Sequence, residues 1–163
     1  MGEQRRAPRC IHVAIPGRAR PLHITRVVLD FNGTLARDGT LIRGVGPRLK
    51  RLAAHVDVVV VTSDTFGTAR QQLSGLPVRV IVARNGAAKR RALVVMHPAG
   101  AVVIGNGVND VPMLRAAALG IATCGAEGTA AVLLRAAAIV VSDVRDALDL
   151  LLRPDRLAAT LRR

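Results

Sequence analysis

Five polar side chains sit at or near the ends of short apolar runs and have the types needed to handle a phosphate group: Asp30, Thr62, Lys89, Asn106 and Asp110. The stretch RVVLD at 26–30 ends on Asp30, directly before Phe31-Asn32-Gly33-Thr34. VVVVT at 58–62 ends on Thr62, with Ser63 beside it, and AVVIG at 101–105 runs into Asn106-Gly107-Val108-Asn109-Asp110. An aspartate carboxylate can take up a phosphoryl group as an acyl-phosphate, which splits one difficult hydrolysis into two easier steps. That chemistry needs a divalent cation held by oxygen ligands to offset the phosphate charge. It also needs a fixed cation and a hydroxyl on the phosphate oxygens. Glycines at 33, 105 and 107 would let backbone approach a phosphate and its metal. Singly, each residue has an ordinary reading, as turn former, strand end or loop residue. Their order along the chain makes them a candidate site.

The elements that must position them follow from the hydrophobic pattern. Residues 11–15 and 22–30 read as a hairpin or bent pair of strands around Pro-Gly-Arg-Ala-Arg-Pro. Residues 35–43, LARDGTLIR, place Asp-Gly between short apolar runs, a hairpin flap just past Asp30. Further strands are expected at 56–62, 78–82, 101–104, 119–123 and 139–141. Helices are expected at 47–55, 65–74, 85–96, 109–117, near 128–135, at 142–152 and after Pro154. Asn85 has the type and position to cap the helix that carries Lys89. Strands alternating with short helices predict an α/β fold: a three-layer, Rossmann-like parallel sheet flanked by helices, with a β-hairpin flap. In such sheets ligands bind at the carboxyl ends of the strands, where Asp30, Thr62 and the 105–110 turn are expected. The whole chain, 1–163, reads as one domain with an N-terminal extension at 1–21.

Composition narrows the function classes. At 163 residues and half apolar, the chain can bury an aliphatic core with only Phe31 and Phe66 as aromatics. Cys10 and Cys124 lack CxxC spacing and read as buried or idle thiols, and His12, His23, His55 and His97 show no ligand spacing along the sequence. No apolar run reaches the roughly 18 residues of a spanning helix, so a cytoplasmic protein without a membrane partner is expected, and ATP-driven transport is excluded for this chain. The net charge of +13 attracts phosphorylated ligands. Nucleic acid would share that attraction, but with no aromatic platform for bases, dedicated nucleic-acid binding is disfavoured.

The set Asp-Phe-Asn-Gly-Thr at 30–34, the strand ending in Thr62, the helix-borne Lys89 and Gly-Asn-Gly-Val-Asn-Asp at 105–110 resembles the four motifs of the haloacid dehalogenase superfamily. VVVVTSD and IGNGVNDVPML look most like the phosphorylation domain of P-type ATPases, and the chain resembles their soluble phosphatase relatives over roughly residues 25–150. The resemblance implies a Mg²⁺-dependent phosphohydrolase acting on a phosphorylated substrate. Asp30 would be the nucleophile, Thr62 the phosphoryl-binding hydroxyl and Lys89 the steadying cation. Asp30, Gly33, Thr62, Ser63 and Lys89 would form the phosphate site. The metal would lie on Asp30, the backbone carbonyl of Asn32, Asn106 and Asp110, with Asp110 alternatively supporting the lysine.

Two positions depart from the family pattern. Asn32 stands where the phosphatases carry the acid that protonates the leaving group and then activates water, a contribution of ~10²–10⁴-fold. P-type ATPases carry Thr there and still form an aspartyl-phosphate. Asn106 stands where an acidic metal ligand is usual, and Asp110 or Asp64 would have to compensate. The rival expectation is therefore a catalytically impaired, phosphate-binding or regulatory domain. Only 31 residues separate Asp30 from Thr62, and 26 separate Thr62 from Lys89. Neither interval holds a cap domain, so the site should be open, or covered by a neighbouring subunit of a homo-oligomer, as in the capless sugar-acid phosphatases whose flap this one resembles.

Overall fold

The computed structural model describes residues 9–163, so the first eight residues of the expected N-terminal extension lie outside the described residues. Six strands form one fully parallel sheet in the order β10-β9-β8-β3-β6-β7. They are β3 (Arg26–Leu29), β6 (Asp57–Thr62), β7 (Arg79–Val82), β8 (Ala101–Gly105), β9 (Leu119–Thr123) and β10 (Ile139–Val141). The central β3, β6 and β8 are Val-rich and almost wholly buried, as strands covered on both faces must be. Chain order runs outward from β3 in one direction through β6 and β7, and in the other through β8, β9 and β10. The switch point therefore falls between the carboxyl ends of β3 and β8, where the sheet opens a crevice.

Two aliphatic cores sandwich the sheet. On one face α1 (Val45–Ala53), α6 (Val144–Leu152) and α7 (Pro154–Leu161) cover Val27, Leu29, Val58, Val60, Val102 and Ile104. On the other, α3 (Gly86–Val95), α4 (Val111–Ala116) and α5 (Ala131–Ala136) cover the alternate residues Val28, Val59, Val61 and Val103. The period-2 alternation of the strands thus feeds both layers. Arg48 of α1 donates a bidentate pair to Asp149 of α6 at 2.9 Å, clamping two helices of the first layer.

Several boundaries differ from expectation. The first helix begins at Val45, two residues early, because Gly44 adopts φ 88° and turns the chain into it. The helix expected over 65–74 shrinks to one turn, α2 (Ala69–Gln72). Asp64 and Gly67 sit at φ 52° and 66°, and the Asp64 carboxylate accepts from the Ala69 N–H, so residues 63–68 form a capped loop. Val108–Asp110 is a separate 3₁₀ turn ahead of α4. Of the two aromatics, Phe31 is fully buried while Phe66 is 53% exposed.

Two small antiparallel ribbons complete the molecule. The flap is β4 (Ala36–Arg37) paired with β5 (Thr40–Leu41), turning through Asp38 and Gly39 at positive φ. It is held from both sides. Thr68 Oγ1 donates to the Gly39 carbonyl, the Leu41 N–H donates to Gln72 Oε1, and the Asp38 N–H donates to Glu127 Oε1. The N-terminal ribbon is β1 (Ile11–Val13) against β2 (Leu22–Ile24), with the chain bending at Thr25 into β3. Its register sets His12 directly opposite His23, a proximity that linear spacing hid. Cys10 is partly exposed and Cys124 exposed, so neither is a buried thiol. Among the described residues no helix is long and apolar enough to cross a membrane.

Candidate active site

Asp30 follows β3 immediately, and its N–H donates to the Ile104 carbonyl of β8, fixing the carboxylate at the switch point. The next residues turn at once: the Thr34, Leu35 and Ala36 N–H groups all converge on the Phe31 carbonyl. Gly33 sits at φ 74°, and a Cβ there would lie 2.2 Å from the Asn106 amide nitrogen. Only glycine lets the first and last motifs approach this closely.

Lys89 arrives from the crossover between β7 and β8. Asn85 caps α3 as expected, its side chain accepting from the Ala88 N–H at 2.8 Å, and Lys89 lies in the first helical turn. A cation there opposes the helix dipole. Two carboxylates compensate: Lys89 Nζ donates to Asp30 Oδ1 at 2.5 Å and to Asp110 Oδ1 at 2.7 Å. All three groups are buried, Asp30 retaining 6% of its surface, Lys89 2% and Asp110 1%. Burial first, and then the Asp110 charge, push the Asp30 carboxyl from 3.8 up to about 7, with Lys89 opposing. Burial lowers the Lys89 pKa, but the two carboxylates outweigh it and hold the ammonium above its ordinary range.

The other Asp110 oxygen, Oδ2, accepts from the Asn106 and Gly107 N–H groups at 3.1 and 3.0 Å. Asp110 thus supports both the lysine and the turn after β8. Gly105 makes room for it, since a Cβ there would meet the Asp110 carboxylate at 2.6–2.7 Å. Asn106 is a strut: Oδ1 accepts from Thr34 Oγ1 at 3.2 Å, and Nδ2 donates to the Gly128 carbonyl at 3.0 Å. Asn32 is the opposite case, because both polar atoms of its amide are buried and have no partner among the described residues. Thr62 is fully buried at the end of β6, its Oγ1 accepting from the Asp64 N–H at 2.9 Å, and Ser63 Oγ pairs loosely with Thr65 Oγ1 at 3.4 Å. Asp64, the other candidate to compensate for Asn106, spends one carboxylate oxygen on the start of α2.

The donors suit a hard cation. The carboxylates of Asp30 and Asp110, the backbone carbonyl of Asn32 and the side-chain amide oxygen of Asn106 are all oxygen donors of the kind Mg²⁺ takes. When all three buried groups are ionised, two carboxylates face one ammonium, a net charge of −1 that repels a phosphate until a cation reverses it. The orphaned Asn32 amide is the kind of buried polar group that a bound partner satisfies.

A cleft of about 420 Å³ opens beside this cluster, between the flap, the turn after β9 and the start of α6. Gly33 and Thr34 form its inner wall, and Arg37, Arg43 and Glu127 its outer parts; Asp30 is not in the lining. This wall was not legible beforehand, since residues 124–127 and 142–145 bear no motif.

No family model matches the chain. An uncharacterized protein of Methanocaldococcus jannaschii is 49% identical over 61 residues, which is 37% of this chain and 66%, just under two thirds, of that protein. Solved structures match far more of the length. The 3-deoxy-D-manno-octulosonate 8-phosphate phosphatase of Moraxella catarrhalis, in complex with magnesium, phosphate and the KDO molecule, superposes with a TM-score of 0.69 at 17% identity, covering 85% of this chain and 94% of that one. The cobalt-bound deoxy-D-mannose-octulosonate 8-phosphate phosphatase of Haemophilus influenzae gives 0.67 at 15% identity, over 86% and 94%. A subfamily III A hydrolase of the superfamily from Legionella pneumophila gives 0.61 at 18%, over 85% and 87%. With only a flap and one helix between the strands that carry Asp30 and Thr62, the chain has the haloacid dehalogenase fold in its capless form.

Proposed function

We propose that the chain is a Mg²⁺-dependent phosphohydrolase that cleaves phosphate monoesters through an aspartyl-phosphate on Asp30. The observation that carries this reading is the buried Lys89 ammonium shared between Asp30 and Asp110 at the switch point of the sheet. A charged trio buried this deeply contributes little net stability, because its desolvation offsets its attraction. Its position at the ligand-binding edge is better explained by chemistry. The magnesium- and phosphate-bound octulosonate phosphatase supports the same reading, as do the P-type-ATPase-like motifs for the phospho-enzyme step.

In the first step an Asp30 oxygen attacks phosphorus, the bond to the leaving oxygen breaks, and that oxygen takes its proton from solvent, since Asn32 has none to give. In the second, water attacks phosphorus, loses a proton to solvent, and Asp30 is regenerated as inorganic phosphate leaves. Mg²⁺, when bound, neutralises charge on the phosphoryl oxygens. Lys89 holds the nucleophile in place and offsets negative charge, and Asp110 keeps the lysine ionised. Thr62 supplies a hydroxyl at the next strand end. The cleft past Gly33 has the volume for a sugar-sized leaving group, and Arg37 and Arg43 favour an acidic one.

The test is phosphate release from a panel of phosphomonoesters with and without Mg²⁺, against Asp30→Asn. Release that persists unchanged in the variant sinks the proposal. A second reading, a domain that binds phosphate without turnover, is favoured by the missing proton donor at Asn32. Binding of a beryllofluoride phosphate mimic without any hydrolysis would select it.

A further inference from the structure

The N-terminal ribbon brings together three side chains that the phosphate chemistry does not use. Cys10 and His12 are two residues apart along the strand direction, and His23 lies directly across from His12. The alternation of β1 and β2 sends Ile11, Val13, Leu22 and Ile24 into the core, so Cys10, His12 and His23 share the outer face. Their sulfur and nitrogen donors all lie within 4.8 Å of one another. The two imidazoles meet edge to face, with ring centroids 4.6 Å apart at 83°. Among the described residues neither imidazole has a hydrogen-bond partner, and the Cys10 thiol makes only a long contact of 3.7 Å to the Ile11 carbonyl.

We propose that Cys10, His12 and His23 form a surface site for a thiophilic divalent transition metal of the zinc type, separate from the Mg²⁺ chemistry at Asp30. Thiolate sulfur and imidazole nitrogen are both zinc donors, and three protein ligands leave a fourth tetrahedral position for water. Bonds of about 2.0–2.3 Å in a tetrahedron place donors roughly 3.3–3.6 Å apart, so side-chain rotation of about 1 Å closes the site with the backbone as it stands. The donors also discriminate. A chain of net charge +13 repels cations in general, so affinity must come from sulfur and nitrogen donors, which Mg²⁺ does not favour. On binding, the Cys10 S–H bond breaks and its proton passes to water. The thiolate and two neutral imidazoles each donate an electron pair, and no oxidation state changes. The metal would join both strands of a ribbon that otherwise has only three residue pairs in register.

Co²⁺ and Zn²⁺ added to the chelator-stripped full chain test this. One equivalent of Co²⁺ should produce thiolate-to-cobalt charge-transfer absorption that Zn²⁺ abolishes and Mg²⁺ does not. Cys10→Ser should remove the band. His23→Gln should weaken binding by more than about tenfold, since losing a ligand costs more than losing the group that orients one. Cys124→Ser and Asp30→Asn should leave it intact. In the unaltered protein Zn²⁺ should protect Cys10, but not Cys124, from alkylation mapped by mass spectrometry. A band that survives Cys10→Ser, or Cys10 alkylation at the same rate with and without Zn²⁺, overturns the proposal. Both outcomes are independent of whether Asp30 supports phosphate release.

Discussion

Asp30→Asn should make the metal-free protein more stable while abolishing its response to Mg²⁺. Asp30 is buried beside a second carboxylate, and even with Lys89 attached its pKa rises from 3.8 to about 7. At ~1.4 kcal/mol per pH unit, the folded state carries an ionisation cost of up to ~4 kcal/mol above neutrality. The sign is fixed by linkage. Below the ordinary carboxylate pKa, Asp30 is protonated folded and unfolded, and no cost exists. Between 3.8 and about 7 the unfolded chain ionises first, so stability falls as pH rises, and above 7 the full cost is present. Asparagine mimics the protonated form and can still accept from Lys89 through its oxygen. Its NH₂ needs a new acceptor, and leaving that donor unpaired returns ~1–3 kcal/mol. A net gain of about 1–3 kcal/mol remains, or roughly 2–10 °C in Tm for a chain of this size. Thermal unfolding in EDTA at pH 8 and at pH 4 measures it. The gain should appear at pH 8 and shrink towards zero or reverse at pH 4, and Mg²⁺ should raise the Tm of the parent alone. A variant that melts at or below the parent at pH 8 without metal refutes the electrostatic account.

Other substitutions probe the same cluster. Asn32→Asp restores a group able to pass a proton and should raise Mg²⁺-dependent phosphate release by ~10²–10⁴-fold; an unchanged rate in a folded variant would remove proton transfer from the explanation. Lys89→Met leaves two buried carboxylates facing each other and should cost about 3–5 kcal/mol in urea unfolding at neutral pH, the opposite sign to Asp30→Asn. A neutral result there would mean the trio is more hydrated than its burial implies. Gly33→Ala combines φ 74° with a Cβ driven into the Asn106 amide, so stability should drop by about 1–3 kcal/mol and the thermal shift on adding Mg²⁺ should fall with it. Full retention of both would show that the turns after β3 and β8 move freely.

What could be read from the sequence was local. Val-rich runs ending on Asp30, Thr62 and Gly105 announced three strands and the sheet edge they share, because a strand buried on both faces leaves an unmistakable apolar signature. Asn85 announced its helix for the same reason, a cap being a contact between residues three apart. The helix expected after Thr62 failed on an equally local matter. The carboxylate of Asp64, itself at φ 52°, starts the helix five residues on, at Ala69, and a pattern of apolar spacing does not register a side chain competing for the backbone. Contacts between distant segments left no trace: the cleft behind the flap, His12 across from His23, and the division of Asp110 between Lys89 and the turn at Asn106 and Gly107.

The two asparagines make the difference concrete. In the sequence Asn32 and Asn106 are equivalent departures, each a neutral amide where an acid is usual. In the fold they are not. Asn106 has both ends satisfied, by Thr34 and Gly128, and ties the first motif to the loop after β9. A carboxylate there could not donate to the Gly128 carbonyl and would lose that tie. Its neutrality therefore has a structural reason that does not require any loss of chemistry. Asn32 has no such reason. Its amide is buried with neither atom paired among the described residues, a state that costs roughly 1–3 kcal/mol for each polar group left without a partner. Two unpaired polar atoms two residues from Asp30 are open to a ligand atom and contribute no tie to the fold. The proposed phosphatase reading therefore turns on position 32, and Asn32→Asp is the substitution whose effect on turnover separates a slow phosphatase from a phosphate-binding domain.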